Sequence, residues 1–133
     1  MILALHAAGP TTLIWFFERP EDIQHLPEPY IWQSGRDLSF ELLGKITTLA
    51  RQRDRDIGNF TGIVVFSGPG SFTSLRIGHT VANALADSLE IPVVGALGDD
   101  WLSDGVSRLE TAPIGQPVMP FYGAEPNITQ AKK

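Results

Sequence analysis

The chain has no cysteine and is poor in basic side chains. Without cysteine it can form no disulfide, thiolate nucleophile or cysteine-based zinc site, which fits a reducing compartment. Lys and Arg number 10 against 15 Asp and Glu, so the formal net charge is −5. Phosphate backbones are bound mainly by clustered Lys and Arg. We therefore expect any nucleic acid to be held by a partner of this chain.

Long hydrophobic runs and metal-ligand spacings are missing as well. No window approaches the roughly 18 apolar residues that cross a bilayer, and the apolar Met1–Leu5 is short and lacks the basic leader of a signal peptide. His6, His25 and His79 show neither H-x-x-x-H nor H-E-x-x-H spacing. We expect a cytoplasmic protein without membrane contact, metal ion or cofactor, whose histidines are surface or hydrogen-bonded residues.

The order of apolar segments and turns predicts an α/β fold, a single mixed β-sheet flanked by helices. Prolines before Tyr30 place the third predicted strand at an edge of the sheet. We expect a domain at residues 1–110 and a proline-rich tail at 111–133. The predicted strands are Ile2–Leu5, Thr12–Phe17, Tyr30–Trp32, Gly62–Phe66 and Ile91–Ala96, and the predicted helices are Leu38–Arg53, Thr73–Leu89 and Asp99–Leu109.

The most distinctive stretch is a glycine turn with the sequence S-G-P-G-S-F-T-S-L-R-I-G at Ser67–Gly78. Its backbone amides could bind an anion. However, the Gly-Lys-Ser/Thr of a phosphate-binding loop is missing, and Thr73 stands where the dinucleotide-binding motif needs its third glycine. Ser71 also lacks the G-x-S-x-G context of a nucleophile elbow. We expect a structural turn in which Ser71 caps the next helix, and no catalytic residue.

Two further local patterns concern the helices. Ser34 and Asp37 have the form of a capping box before the first predicted helix. In the helix after the glycine turn, small residues recur every four positions at Gly78, Ala82 and Ala86, which allows close approach of another element. From the residues alone, that element can be the chain's own sheet or a second protein. A polar stripe on the same helix consists of Arg76, His79, Asn83 and Asp87.

The glycine turn resembles the G-P-G-S-F-T-G-x-R-I-G signature of the TsaB (YeaZ) family, and the resemblance extends over about residues 1–100. Pro117–Pro126 is similar to the family's C-terminal ending, with Gly123 where the family has arginine. The resemblance implies an actin-like ATPase fold (ASKHA, ribonuclease H-like), with the first domain and the tail present but not the second domain between them. The signature residues are Gly68, Pro69, Gly70, Ser71, Phe72, Thr73, Arg76 and Gly78.

The resemblance also implies a function. Members of the family are non-catalytic subunits in the synthesis of threonylcarbamoyladenosine on tRNA, and they pair with the catalytic homologue TsaD and the ATPase TsaE. The family's pairing surface corresponds here to the helices at Asp37–Arg53 and Thr73–Leu89, and tRNA would be contacted indirectly, through the complex. The partner-interface residues that we expect from this resemblance are Leu42, Ile46, Arg76, Gly78, His79, Ala82, Asn83 and Ala86.

One departure from the family concerns the end of the first strand. The family usually has Asp-Thr-Ser there, whereas this chain has His6, Ala7 and Ala8. Alanine side chains neither donate nor accept hydrogen bonds, and a neutral histidine carries no negative charge. This departure argues against ATPase activity. The alternatives to a scaffold subunit are a weak nucleotide-binding or peptidase-like protein of the ASKHA superfamily, and a self-associating homodimer.

Overall fold

The structure is a computed structural model that describes residues 1–121. The expected counterpart of the family's C-terminal ending extends from Pro117 to Pro126, so its second half, with Gly123, lies outside the described residues. Residues 111–121 form no helix or strand. The division into a domain at 1–110 and a tail at 111–133 stays a prediction.

A five-stranded mixed sheet forms the centre of the fold. Its strands are β1 Ile2–Ala7, β2 Thr12–Phe17, β3 Tyr30–Trp32, β4 Gly62–Phe66 and β5 Val93–Ala96. The strand order is β3-β2-β1-β4-β5, with β1 parallel to β4 and β4 parallel to β5, whereas β2 runs antiparallel to both of its neighbours. The predicted mixed sheet, the hairpin of the first two strands and the edge position of β3 are confirmed.

Three α-helices cover the two faces of this sheet. They are α1 Leu38–Arg51, α2 Phe72–Leu89 and α3 Trp101–Leu109. Successive side chains of a strand point to opposite faces. Accordingly, Leu3 and Leu5 of β1 are buried in one cluster with α1 and α2, whereas Ile2 and Ala4 are buried in a second cluster with α3. All five residues of β4 are buried, as expected for a central strand with helices on both faces.

The predicted capping box at Ser34 is wrong. Ser34 precedes a short 3-10 turn at Gly35–Asp37 and makes no side-chain capping bond. Its hydroxyl is instead buried, 2.7 Å from the hydroxyl of Thr12 on β2 and 3.4 Å from the carbonyl of Pro10. A serine hydroxyl can form its hydrogen bonds with either local or distant groups. Here the distant partners join the segment before α1 to the sheet.

Candidate functional site

The glycine turn joins the carboxyl end of β4 to the start of α2 and packs against the end of β1. The Ser71 hydroxyl accepts the Ser74 amide N–H at 3.4 Å, which confirms the predicted cap. The Ser71 amide itself donates to the carbonyl of Ala8 at 2.8 Å. A side chain at Gly70 would lie 2.5 Å from the Cβ of Ala8, so glycine is required by this close approach.

Gly68 lies at the point where the turn meets the last described residues of the chain. Its φ is +134°, a conformation that side chains rarely adopt, and its carbonyl accepts the Gly98 amide at 2.9 Å. A Cβ at Gly68 would lie 2.6 Å from the carbonyl oxygen of Phe121. The Phe121 amide in turn donates to the carbonyl of Ser67 at 2.8 Å. The turn is therefore covered by the segment that ends at Phe121.

A buried histidine holds the glycine turn to α2. The Nδ1 atom of His79 lies 2.7 Å from the carbonyl of Leu75, and its Nε2 atom lies 2.8 Å from the hydroxyl of Ser67. A carbonyl can only accept, so Nδ1 carries the proton and Nε2 accepts from Ser67. His79 is 2% exposed, and burial lowers its pKa. Neutral His79 therefore links the residue that follows β4 to the first turns of α2.

This neutral histidine predicts a loss of stability in mild acid. The unfolded chain binds a proton at His79 near pH 6.5, whereas the folded chain, with its lowered pKa, does not. As the pH falls below about 6.5, His79 should lower the free energy of unfolding by up to about 1.4 kcal/mol per pH unit, until the folded-state pKa is reached. Above about pH 6.5 the contribution of His79 to the free energy of unfolding should be constant. Urea denaturation between pH 7.5 and about 5 measures the slope.

The matched variant for this measurement is His79→Gln, whose amide can still accept from Ser67 and donate to Leu75 but does not titrate. Burial also lowers the pKa of His6, so some acid sensitivity should remain in the variant. We expect the variant to have a shallower slope than the unmodified chain. Equal slopes would contradict the assignment of His79 as a buried neutral group.

Asn83 on α2 holds the segment that covers the turn. Its Nδ2 donates to the carbonyl of Val118 at 2.8 Å, and its Oδ1 accepts the amide of Val118 at 2.9 Å. A single amide side chain thus satisfies both backbone groups of one residue that is 35 positions away. Together with the bond between Ser67 and Phe121, it fixes residues 118–121 on α2 and β4.

Asn83→Asp should release this segment. A carboxylate cannot donate to the carbonyl of Val118 and would place two acceptors face to face. We expect hydrogen exchange at the Val118 amide to accelerate by about tenfold, since the partly buried bond from Nδ2 to the Val118 carbonyl, worth about 1.4 kcal/mol, is lost and the segment opens more often. Gln116→Glu adds the same charge to an exposed neighbour and should leave that exchange rate unchanged. Similar acceleration in both variants would show that charge, and not the lost bond, is responsible.

The end of β1 lies beside the glycine turn, in the place where the family resemblance implies a nucleotide and its metal ion. The His6 ring stacks on Phe66 with centroids 4.0 Å apart and lies 5.6 Å from the ring of Trp101. Among the described residues that line the adjacent cavity of about 310 Å³, Asp99 alone is acidic. Residues 1–121 contain no group of three His, Asp or Glu side chains that could hold a metal. These residues do not fit a metal–nucleotide complex.

Most of the expected partner-interface residues are buried inside this chain. The helix faces that carry them pack on the sheet and on each other, so they cannot contact a second protein in this conformation. Of the remaining two, Asn83 is bonded to Val118, and Arg76 is exposed. The pattern of small residues on α2 is explained by the sheet, since a Cβ at Gly78 would lie 3.2 Å from that of Ala7. The buried residues are Leu42, Ile46, Gly78, His79, Ala82 and Ala86.

The exposed sides of the same two helices form a different surface. On α1, Phe40 is 89% exposed and Leu43 is 49% exposed. On α2, Phe72 is 53% exposed, and the Arg76 guanidinium lies 5.4 Å from its ring centroid. A shallow cavity of about 320 Å³ lies between the helices, with Ser39 of α1 and Thr80 of α2 in its lining. We call this surface, defined by Phe40, Leu43, Phe72, Arg76 and Thr80, the outer face.

The sequence analysis missed two features of these regions. The first is the exposed Phe40, which stands off the spacing of Leu38, Leu42 and Ile46. A large apolar residue off the buried stripe is the signal that could have found it. The bond between Ser67 and His79 had no signal in the sequence, because the two residues are brought together only by the turn.

Comparisons with known proteins agree with this geometry. Residues 34–97 match the family model described as TsaD, tRNA N6-adenosine threonylcarbamoyltransferase. The tRNA threonylcarbamoyladenosine biosynthesis protein TsaB of Bacillus subtilis (strain 168) is 38% identical over 82 residues, which are 62% of this chain and 31% of that protein. The chain therefore spans about a third of the length of this curated relative.

Solved structures show the same fold. YeaZ from Pseudomonas aeruginosa superposes with a TM-score of 0.62 at 22% identity, over 72% of this chain and 43% of that chain. A second structure, described as similar to peptidase YeaZ from Pseudomonas aeruginosa, superposes with the same TM-score and identity. The chain thus shares the fold of these YeaZ structures, a mixed sheet with flanking helices. In sequence the chain is similar to TsaB, and in fold it is similar to YeaZ, as the glycine-turn signature had indicated.

No helix within residues 1–121 combines the length and the apolar character that crossing a membrane requires.

Proposed function

We propose that this chain is a non-catalytic, TsaB-like subunit that docks on a TsaD-like partner through its outer face and thereby supports threonylcarbamoyladenosine modification of tRNA. The observation that carries the proposal is the exposure of Phe40 and Leu43 on α1 and of Phe72 on α2. In the proposed assembly a TsaE-like ATPase joins the pair, and tRNA is bound through the partner. The cytoplasm would be the location.

The chemistry of the outer face supports docking. Burial of apolar surface contributes about 25 cal/mol per Å², so one large aromatic ring that becomes buried can add several kcal/mol to an association. Aromatic residues and arginine are enriched among the residues that dominate binding energy. Phe72 and Arg76 supply both kinds in one contact. The outer face therefore has the composition of a binding surface rather than of an ordinary solvated helix surface.

Two observations support a helper role over a catalytic one. The side chains at the end of β1 are an imidazole and two methyl groups, which replace the family's carboxylate and hydroxyls. The net charge of −5 favours an arrangement in which a more basic partner holds tRNA. The chain's task in this proposal is to present the outer face in a fixed geometry, which the glycine turn and His79 provide.

The direct test mixes the full chain with the TsaD-like protein of the same cell and measures association by calorimetry and size-exclusion chromatography. We expect a stable heterodimer and, with the ATPase and tRNA added, threonylcarbamoyladenosine formation that depends on this chain. Absence of a complex would refute the proposal. Light scattering of the chain alone tests one of the alternatives, a homodimer through the same surface. Ala82→Arg is unsuitable as a docking variant, because Ala82 is fully buried.

A further inference from the structure

The outer edge of β5 carries backbone groups without partners. β5 is the last strand of the sheet, and its other edge pairs with β4. The Ile63 amide donates to the Pro92 carbonyl at 3.1 Å, and the Ser67 amide donates to the Ala96 carbonyl at 2.8 Å. In a parallel ladder alternate residues turn both backbone groups to the same neighbour. Residues 92, 94 and 96 thus face β4, and Val93 and Gly95 face away.

The position of Arg108 confirms this orientation. Its Nη2 atom reaches across from α3 and donates to the carbonyl of Gly95 at 2.6 Å, on the side away from β4. The amides of Val93 and Gly95 have no hydrogen-bond partner in the part of the chain that the structure describes. These two donors lie two positions apart in the sequence, which matches the repeat of an extended backbone. A helix or a compact small molecule does not present acceptors at this spacing.

A groove of about 560 Å³ lies along this edge. The end of α3 bounds it on one side, and the segment held by Asn83 bounds it on the other. Its lining is mainly apolar, and among the described lining residues Arg108 alone is charged. Arg108 binds Asp104 through Nε and Nη2, which leaves Nη1 for another acceptor. The apolar lining residues include Val93, Val94, Leu97, Val118, Met119 and Phe121.

We propose that this groove binds an extended peptide segment of another protein, which pairs with β5 as a sixth strand. Main-chain bonds to Val93 and Gly95 provide the affinity in such strand addition, and the side-chain lining provides the selectivity. The lining favours a peptide with apolar side chains and with one carboxylate that pairs with Arg108. A second copy of this chain fits less well, because edge-to-edge pairing would bring two Arg108 side chains together. The groove is separate from the outer face, so this inference does not depend on the proposed function.

The test uses the full chain labelled with 15N and the peptide acetyl-Val-Glu-Val-Thr-Val-amide as the probe. We expect the amide resonances of Val93 and Gly95 to shift on titration, and their hydrogen exchange to slow by about tenfold at saturation. A peptide of the same sequence with alternate amides methylated cannot form the ladder and should not bind. Arg108→Gln should weaken binding by about tenfold, whereas Arg51→Gln, on α1, should leave it unchanged.

Three results would overturn the proposal. The first is slow exchange of the Val93 and Gly95 amides in the free chain, which would show that the edge is already paired. The second is the absence of shifts at these two amides at millimolar peptide, or equal binding by the methylated peptide. The third is a concentration-dependent dimer whose formation protects the same amides, which would make a second copy the occupant.

Discussion

Gly68→Ala is expected to lower the free energy of unfolding by about 3 kcal/mol. Two effects add in the same direction. At φ +134° a residue with a side chain is strained by roughly 1–3 kcal/mol, and overpacking typically costs about 1–3 kcal/mol more. The clash is with the carbonyl oxygen of Phe121, 2.6 Å from the added Cβ, so relief requires backbone movement. Urea denaturation at pH 7.5 measures the change.

Gly44→Ala is the control for this experiment. Gly44 lies in α1, and a Cβ there would meet nothing within 4 Å. In a helix interior alanine is favoured over glycine by about 0.8–1 kcal/mol, so this variant should be slightly more stable than the unmodified chain. Replacement of glycine by alanine should thus change the free energy of unfolding in opposite directions at the two positions. A loss of less than about 1 kcal/mol at Gly68 would show that the turn relaxes easily and does not hold α2 rigidly.

The second large effect concerns association. The double variant Phe40→Asp, Leu43→Asp should weaken binding to the TsaD-like partner by about a hundredfold or more, close to 3 kcal/mol. The cause is the loss of two apolar contacts and the burial of carboxylates without partners. Both side chains are exposed in the free chain, so the free energy of unfolding should change by less than about 1 kcal/mol. Isothermal titration calorimetry gives the affinity.

A matched pair of substitutions lies outside the outer face. Ile114 and Met119 are also exposed apolar residues, 59% and 78% exposed, and their replacement by Asp changes the net charge equally. Ile114→Asp, Met119→Asp should bind the TsaD-like partner like the unmodified chain. If both double variants lose affinity to the same extent, the effect comes from charge in general. If neither does, the docking surface is not the outer face.

His79 links the glycine turn to α2, one of the two helices that carry the outer face. The expected docking role of His79 is replaced by a buried bond to Ser67, which ties the end of β4 to α2. Loss of that buried bond should lower the free energy of unfolding, because each partner would be left buried without the other. Variants of the turn should therefore reduce partner binding indirectly, through stability, whereas variants of the outer face reduce it without a loss of stability.

The sequence by itself determined the elements and the fold class. Apolar alternation and helical spacing located the five strands and three α-helices, with small differences at their ends, because these periods follow directly from backbone geometry. Ser71 was assigned correctly as a cap, since its hydrogen bond is local. The signature of the glycine turn pointed to the TsaB/YeaZ-like character that the comparisons support.

Only the tertiary structure decided which faces are buried and which are available. Gly78, Ala82 and Ala86 are compatible with either internal or external packing, and the sheet occupies them here. The contacts of Ser67 with Phe121 and of Asn83 with Val118 join residues 54 and 35 positions apart. Local patterns carry no information about such pairs, because burial depends on what packs against a residue. For that reason the candidate docking surface lies on the exposed sides of the helices and shares Arg76 alone with the residues first expected.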